Sequence, residues 1–128
     1  MSLLKKRIDS FRYAFKGLAD LFISQPNARI HGIAAIIAII LGIILGLSKT
    51  EWCLVILSIF AVLAAEAFNT ALEYLTDLVS PEHHVLAGKT KDVAAAGVLL
   101  TAFGALIIGT IIYLPKLLLY CNLLINEN

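Results

Sequence analysis

Residues 52–77 read WCLVILSIFAVLAAEAFNTALEYLTD. The first half is uncharged as far as Ala65 and opens on Trp52, an aromatic suited to a membrane–water interface. In the second half Glu66, Asn69, Glu73 and Asp77 follow one another at spacings of three, four and four. At 100° per residue the four positions fall within about 80° of one another, so one helical stripe carries three carboxylates and a carboxamide. An ionisable side chain at bilayer depth costs about 2.5–3.5 kcal/mol on the insertion scale, so this stripe needs a reason to exist.

The composition agrees that the surroundings are lipid. The 128-residue chain is 60% hydrophobic and 15% charged, with a mean hydropathy of +0.92. A single domain of this size buries only about 60–70% of the surface its unfolded chain exposes, and so has nowhere else to put such an apolar excess. A net charge of +1 gives no reason to expect a nucleic-acid partner. The first 25 residues lack the apolar core of a cleavable signal peptide. Cys53 and Cys121 lie far apart in apolar segments, without metal-ligand spacing.

On the N-terminal side, residues 29–47 read as a first span, uncharged from Gly32 to Leu47, with His31 and Arg29 at its interfacial edge. Pro26 marks a break before it. Residues 4–23 are different in kind. Phe11, Phe15, Leu18 and Phe22 recur at helical spacing while Lys5, Arg12, Lys16 and Asp20 lie mostly off that stripe, the pattern of an amphipathic helix in the interface. On the C-terminal side a polar loop is expected from Ser80 to Asp92, then a third span at 93–114. Pro115 and Lys116 close that span and leave a mostly apolar tail ending in Asn126, Glu127 and Asn128. The expected architecture is therefore one all-α membrane domain, an interfacial helix plus three transmembrane helices. With the N-terminus in the cytoplasm, Lys5, Lys6, Arg7, Arg12, Lys16, Arg29, Lys89 and Lys91 lie inside and only Lys49 and Lys116 outside.

Within the stripe, like-charged carboxylates repel one another in a low dielectric unless a cation or a proton sits among them. A structural polar seam accounts for Asn69 alone; a metal site with a proton acceptor accounts better for the set. Oxygen-only ligands suit Mg²⁺, which reaches proteins through one or two carboxylates plus substrate phosphates. His83, His84, Lys89 and Lys91 follow in the loop, where they are placed to face polyphosphate. Gly88-Lys89-Thr90 imitates the end of a phosphate-binding loop, but His83 stands where that motif needs glycine and no strand precedes it. The His83-His84 pair has no partners to complete a zinc site.

Glu66-Ala67-Phe68-Asn69-Thr70-Ala71-Leu72-Glu73, then Asp77, then Glu82-His83-His84 and Lys91-Asp92-Val93-Ala94-Ala95-Ala96, resemble the signature of the prokaryotic diacylglycerol kinase family, which includes undecaprenol kinases. Pro26-Asn27-Ala28-Arg29-Ile30-His31 is similar to that family's approach to its first span. The resemblance implies a homotrimeric kinase of the bacterial inner membrane that transfers the γ-phosphoryl group of Mg-ATP to a lipid hydroxyl. By position it implies that Glu66 is the general base, that Asn69 orients the substrate, and that Glu73 ligates the metal. It implies nucleotide contacts at Lys6, Tyr13, Glu73, Asp77, Glu82, His84, Lys91 and Asp92. Gln25 stands where family members usually carry a second metal-binding Glu; its carboxamide oxygen can coordinate Mg²⁺ but supplies no charge. Diacylglycerol is the first substrate expected and undecaprenol the second. A non-enzymatic cation-binding membrane protein and an inactive family member are the alternatives.

Overall fold

The structure, a computed structural model, describes residues 3–126. Four helices follow in order: α1 (Leu3–Ser24), α2 (Pro26–Ile44), α3 (Lys49–Val79) and α4 (Val85–Asn126). The last three are long and apolar enough to cross a membrane. Antiparallel α3 and α4 form the main packed pair, α2 lies on α3, and α1 touches α2 and α3.

The helix ends are set by recognisable local chemistry. Pro26 occupies the first turn of α2, where a missing N–H costs nothing, and so the first span begins at 26 rather than 29. It stops at Ile44 rather than 47 because Gly46 takes φ +62°, a left-handed conformation that suits glycine. Leu47 N–H then bonds Gly42 O (3.1 Å) and Gly46 N–H bonds Ile43 O (3.3 Å), the paired bonds of a Schellman cap. Ser48 and Glu51 close a reciprocal capping box on α3, which starts it at Lys49, ahead of Trp52.

Two expectations fail around α4. The loop after α3 is confined to residues 80–84, so Lys89, Lys91 and Asp92 stand on helix. His84 makes the early start possible: its Nδ1 accepts the Leu86 N–H (3.1 Å), meeting one of the donors orphaned at a helix N-terminus. Nor does Pro115 end the span. The helix runs through it to Asn126, 42 residues and about 63 Å in all. A proline forfeits one backbone hydrogen bond, but ending the helix among Leu114, Leu117 and Leu118 would expose several backbone groups to an apolar environment. Residues 127 and 128 of the tail lie outside the described part.

Leu47, Val55 and Ile112 form the buried core, with Ala38, Trp52 and Tyr113 against it. Trp52 does more than mark an interface. Its ring covers Gly42, where an added Cβ would come within 2.8 Å of it. At the same end Lys116 Nζ pairs with Glu51 (3.2 Å), and Tyr113 donates to the Ala38 carbonyl on α2 (2.7 Å). Elsewhere Ile36, Ile40, Phe60, Leu100, Phe103 and Ile107 face outward, as lipid-exposed or partner-covered residues do.

Candidate functional site

The 3-4-4 spacing does place the polar residues on one face of α3, and their exposure rises along it. Glu66 is 2% exposed, Asn69 8%, Glu73 half-buried, and the Asp77 side chain 64% exposed. Asn69 Nδ2 donates to Glu73 Oε1 at 2.9 Å, one helical turn away. Because a carboxylate only accepts, that bond fixes the carboxamide and turns its Oδ1 the other way. At the open end Asp77 is paired with Lys91 on α4.

At the buried end a residue from another helix joins the stripe. His31 Nε2 on α2 lies 3.2 Å from Glu66 Oε1, within ion-pair distance but without the alignment of a hydrogen bond. Sequence reasoning left His31 at the membrane edge, since nothing in periodicity connects positions 31 and 66. Thr70, four residues after Glu66 and so on the same face, is a further member that the charge pattern does not mark; it is 4% exposed. Glu66 Oε1, Asn69 Oδ1 and Thr70 Oγ1 are all sealed from solvent without a hydrogen-bond partner. Buried polar atoms are nearly always satisfied, and leaving Asn69 Oδ1 and Thr70 Oγ1 without partners, with Glu66 Oε1 held only by the misaligned His31 contact, costs several kcal/mol. Such a cluster is set up to receive a polar group from elsewhere.

The remaining expected site residues are spread around this stripe. Glu82 is exposed in the short loop, His84 caps α4, and Asp92 stands exposed on its first turns. Lys6 and Tyr13 are exposed on α1, and Gln25 is half-buried at the α1–α2 corner with no capping bond from its side chain. Among the described residues no hydrogen bond or ion pair joins Lys6, Tyr13, Gln25, Glu82 or Asp92 to the stripe. What ties α1 to α3 is Tyr74, whose hydroxyl donates to Asp20 Oδ2 (2.9 Å) and lies 3.0 Å from Ser24 Oγ.

No group of three acidic or histidine side chains gathers to cage a metal among the described residues. Glu73 commits one oxygen to Asn69 and keeps the other, and every nearby donor on the stripe is an oxygen. That donor set fits Mg²⁺ held by one or two carboxylates and completed by phosphates.

Two clefts flank α3. One, of about 640 Å³, runs between α2 and α4 from His31 past Ala35, Ala38, Ala105 and Gly109 to Tyr113. The other, of about 690 Å³, lies between α3 and α4, with Asn69 and Leu72 facing Lys89, Thr90 and Gly97.

The chain is similar to known proteins. The family described as prokaryotic diacylglycerol kinase matches residues 12–113. An undecaprenol kinase of Bacillus subtilis (strain 168) is 37% identical over 114 residues, covering 89% of this chain and 93% of that protein. A diacylglycerol kinase of Synechocystis is 40% identical over 110 residues, which span 85% of this chain and 63% of the relative. The diacylglycerol kinase of Escherichia coli (strain K12) is 32% identical over 95 residues, 74% of this chain and 78% of the relative.

Proposed function

Since the chain belongs to the prokaryotic diacylglycerol kinase family and is a lipid kinase, we propose that it moves the γ-phosphoryl group of ATP onto the hydroxyl of a membrane lipid alcohol at Glu66. The observation that carries this reading is the graded stripe. A sealed carboxylate with orphaned neighbours lies within α3, a helix long and apolar enough to cross a membrane, and the same helix face leads to Asp77, paired with Lys91, at the open end. Lipid hydroxyl and nucleotide would thus meet along one helix.

In this mechanism the second hydrogen on Asn69 Nδ2 donates to the hydroxyl oxygen and orients it, and Glu66 takes the hydroxyl's proton as the oxygen attacks the γ-phosphorus. The bond to the ADP oxygen breaks as the new P–O bond forms, and Glu66 returns the proton to water after product leaves. Phosphoryl transfer asks a protein mainly for positioning and charge neutralisation, and a carboxylate withdrawn from water is a stronger base toward an alcohol. Glu73 and Gln25 would hold Mg²⁺, which supplies neutralisation of the phosphate charge. Lys6, Tyr13, Asp77, Glu82, His84, Lys91 and Asp92 are assigned to the nucleotide. Lys91 can be released for this role cheaply, because an exposed ion pair such as Asp77–Lys91 is worth only about 0–1 kcal/mol. His84 would serve ATP while capping α4.

The assembly belongs to the same proposal. α1 lies in the cytoplasmic interface of the inner membrane, and three copies share their exposed faces. Polyprenol is taken ahead of diacylglycerol, reversing the order expected from sequence. The undecaprenol kinase aligns over nearly its whole length, and a one-chain alcohol presents a hydroxyl with no second chain to accommodate. Purified protein in mixed micelles, given labelled ATP with undecaprenol and diacylglycerol in competition, tests both parts. Lipid-dependent label transfer favouring undecaprenol is expected. Transfer favouring diacylglycerol restores the other order, and cation flux without transfer overturns the proposal.

A further inference from the structure

We infer that the cleft between α2 and α4 is the seat of the lipid alcohol's hydrocarbon chain, entered at His31 and crossed at its far part by Tyr113. This rests on the lipid-kinase reading above and adds to it a binding site and the residues that bound it. The cleft begins at the residue that touches Glu66, the atom pair at which the hydroxyl is placed. From there its walls are mostly apolar, with small residues at Ala35 and Ala38 on α2 and Ala105 and Gly109 on α4 among larger ones such as Leu41 and Leu106, over a floor of Val55 and Val62. The space at Gly109 is real rather than a missing side chain's worth: a Cβ built there meets nothing within 4 Å.

Depth argues for a long chain. At 1.5 Å per residue the 19 residues of α2 span about 28 Å, close to one hydrocarbon thickness. The cleft is lined from His31 to Leu41 on α2, about 15 Å, and from Ala102 to Leu117 on α4, about 22 Å, which exceeds the roughly 15 Å from one interface to the mid-plane. Acyl chains of a glycerolipid in the near leaflet end around that mid-plane. A polyprenol long enough to cross it would use the whole cleft.

The cleft is an open groove of about 640 Å³. The walls α2 and α4 each pack on α3 rather than on one another, and the Tyr113–Ala38 hydrogen bond reaches across between them. The cleft is thus held open by its floor and tied by one polar bond. Its volume lies within the ordinary range of about 300–1,000 Å³ for small-molecule sites.

The test fills the cleft without disturbing the protomer. Gly109→Leu places a branched side chain in open space, while Gly104→Leu adds the same bulk to the same helix outside the cleft, also where a Cβ meets nothing. Both are assayed in mixed micelles with a three-isoprene and an eleven-isoprene alcohol, and the ratio of kcat/KM for long over short is compared with the parent. Gly109→Leu is expected to lower that ratio tenfold or more, and Gly104→Leu to leave it at the parental value. Equal ratios in all three proteins overturn the chain seat. So does a changed oligomeric mass in Gly109→Leu, which would assign the cleft to a second copy. If Gly109→Leu does not fold, Ala35→Leu on the opposite wall carries the same comparison. A parent that phosphorylates diacylglycerol but neither polyprenol overturns the substrate assignment and this site together, whereas an active parent with an unchanged ratio overturns the site alone.

Discussion

Removing His31 measures how much the buried carboxylate depends on a residue of another helix. In the structure Nε2 stands 3.2 Å from Oε1, and the Glu66 side chain is only 3% exposed. Two full charges at that separation and an effective dielectric of about 20 would attract by roughly 5 kcal/mol, which is a ceiling. Desolvation of both groups and imperfect alignment reduce it. Polar contacts between membrane helices average about 0.6 kcal/mol and reach about 1.7. Charge-assisted hydrogen bonds elsewhere are worth about 1.5–3 kcal/mol. A coupling of about 1–2 kcal/mol follows, a factor of roughly 5–30. His31→Ala should therefore lower kcat by about that factor while the KM for ATP, which the proposed mechanism assigns to the other end of the stripe, holds. Glu66→Gln should lose about 10²–10⁴-fold if it is the base. Because His31 acts through Glu66, the double variant should lose no more than Glu66→Gln alone, and His31→Gln, which keeps a donor, should recover part of the loss. Multiplying losses in the double variant, or a His31→Ala effect confined to the KM for ATP, would refute the reasoning.

Three further outcomes are expected. Glu73→Ala should raise the Mg²⁺ concentration needed for half-maximal activity; superimposable Mg²⁺ titrations of variant and parent would make Glu73 a packing residue tied to Asn69. Gln25→Glu should lower that concentration several-fold, since an added carboxylate beside a divalent cation is worth on the order of 1 kcal/mol net of hydration; an unchanged Mg²⁺ dependence places Gln25 away from the metal. Gly42→Ala forces a Cβ to within 2.8 Å of the Trp52 ring and should cost about 1–3 kcal/mol, read as a lower unfolding midpoint in detergent, with Gly42→Ala/Trp52→Leu recovering most of it.

The parts of this protein that were legible in the sequence are those written within one helix. Spans are visible because a bilayer demands about 20 apolar residues in a row, whatever they pack against. The stripe from Glu66 to Asp77 is visible because helical periodicity alone fixes a shared face. The same rule puts Thr70 on this face, four residues after Glu66. The helix ends were read less well. Pro115 and the polar run after Ser80 look like punctuation in water, where a broken helix is rehydrated. Their meaning changed once His84 was found capping α4 and Pro115 was found carried through by its apolar neighbours. The His31–Glu66 contact, the cleft beside it and the Tyr113–Ala38 tie had no sequence signal at all. In lipid, apolarity does not select which faces of two helices meet, because side chains of either face are equally at home. Close approach selects them instead, here the Trp52 ring against bare Gly42, with Leu47 drawn under it by the left-handed turn at Gly46. That packing sets the rotation of α2 on α3, and the rotation brings a histidine 35 positions upstream to the carboxylate.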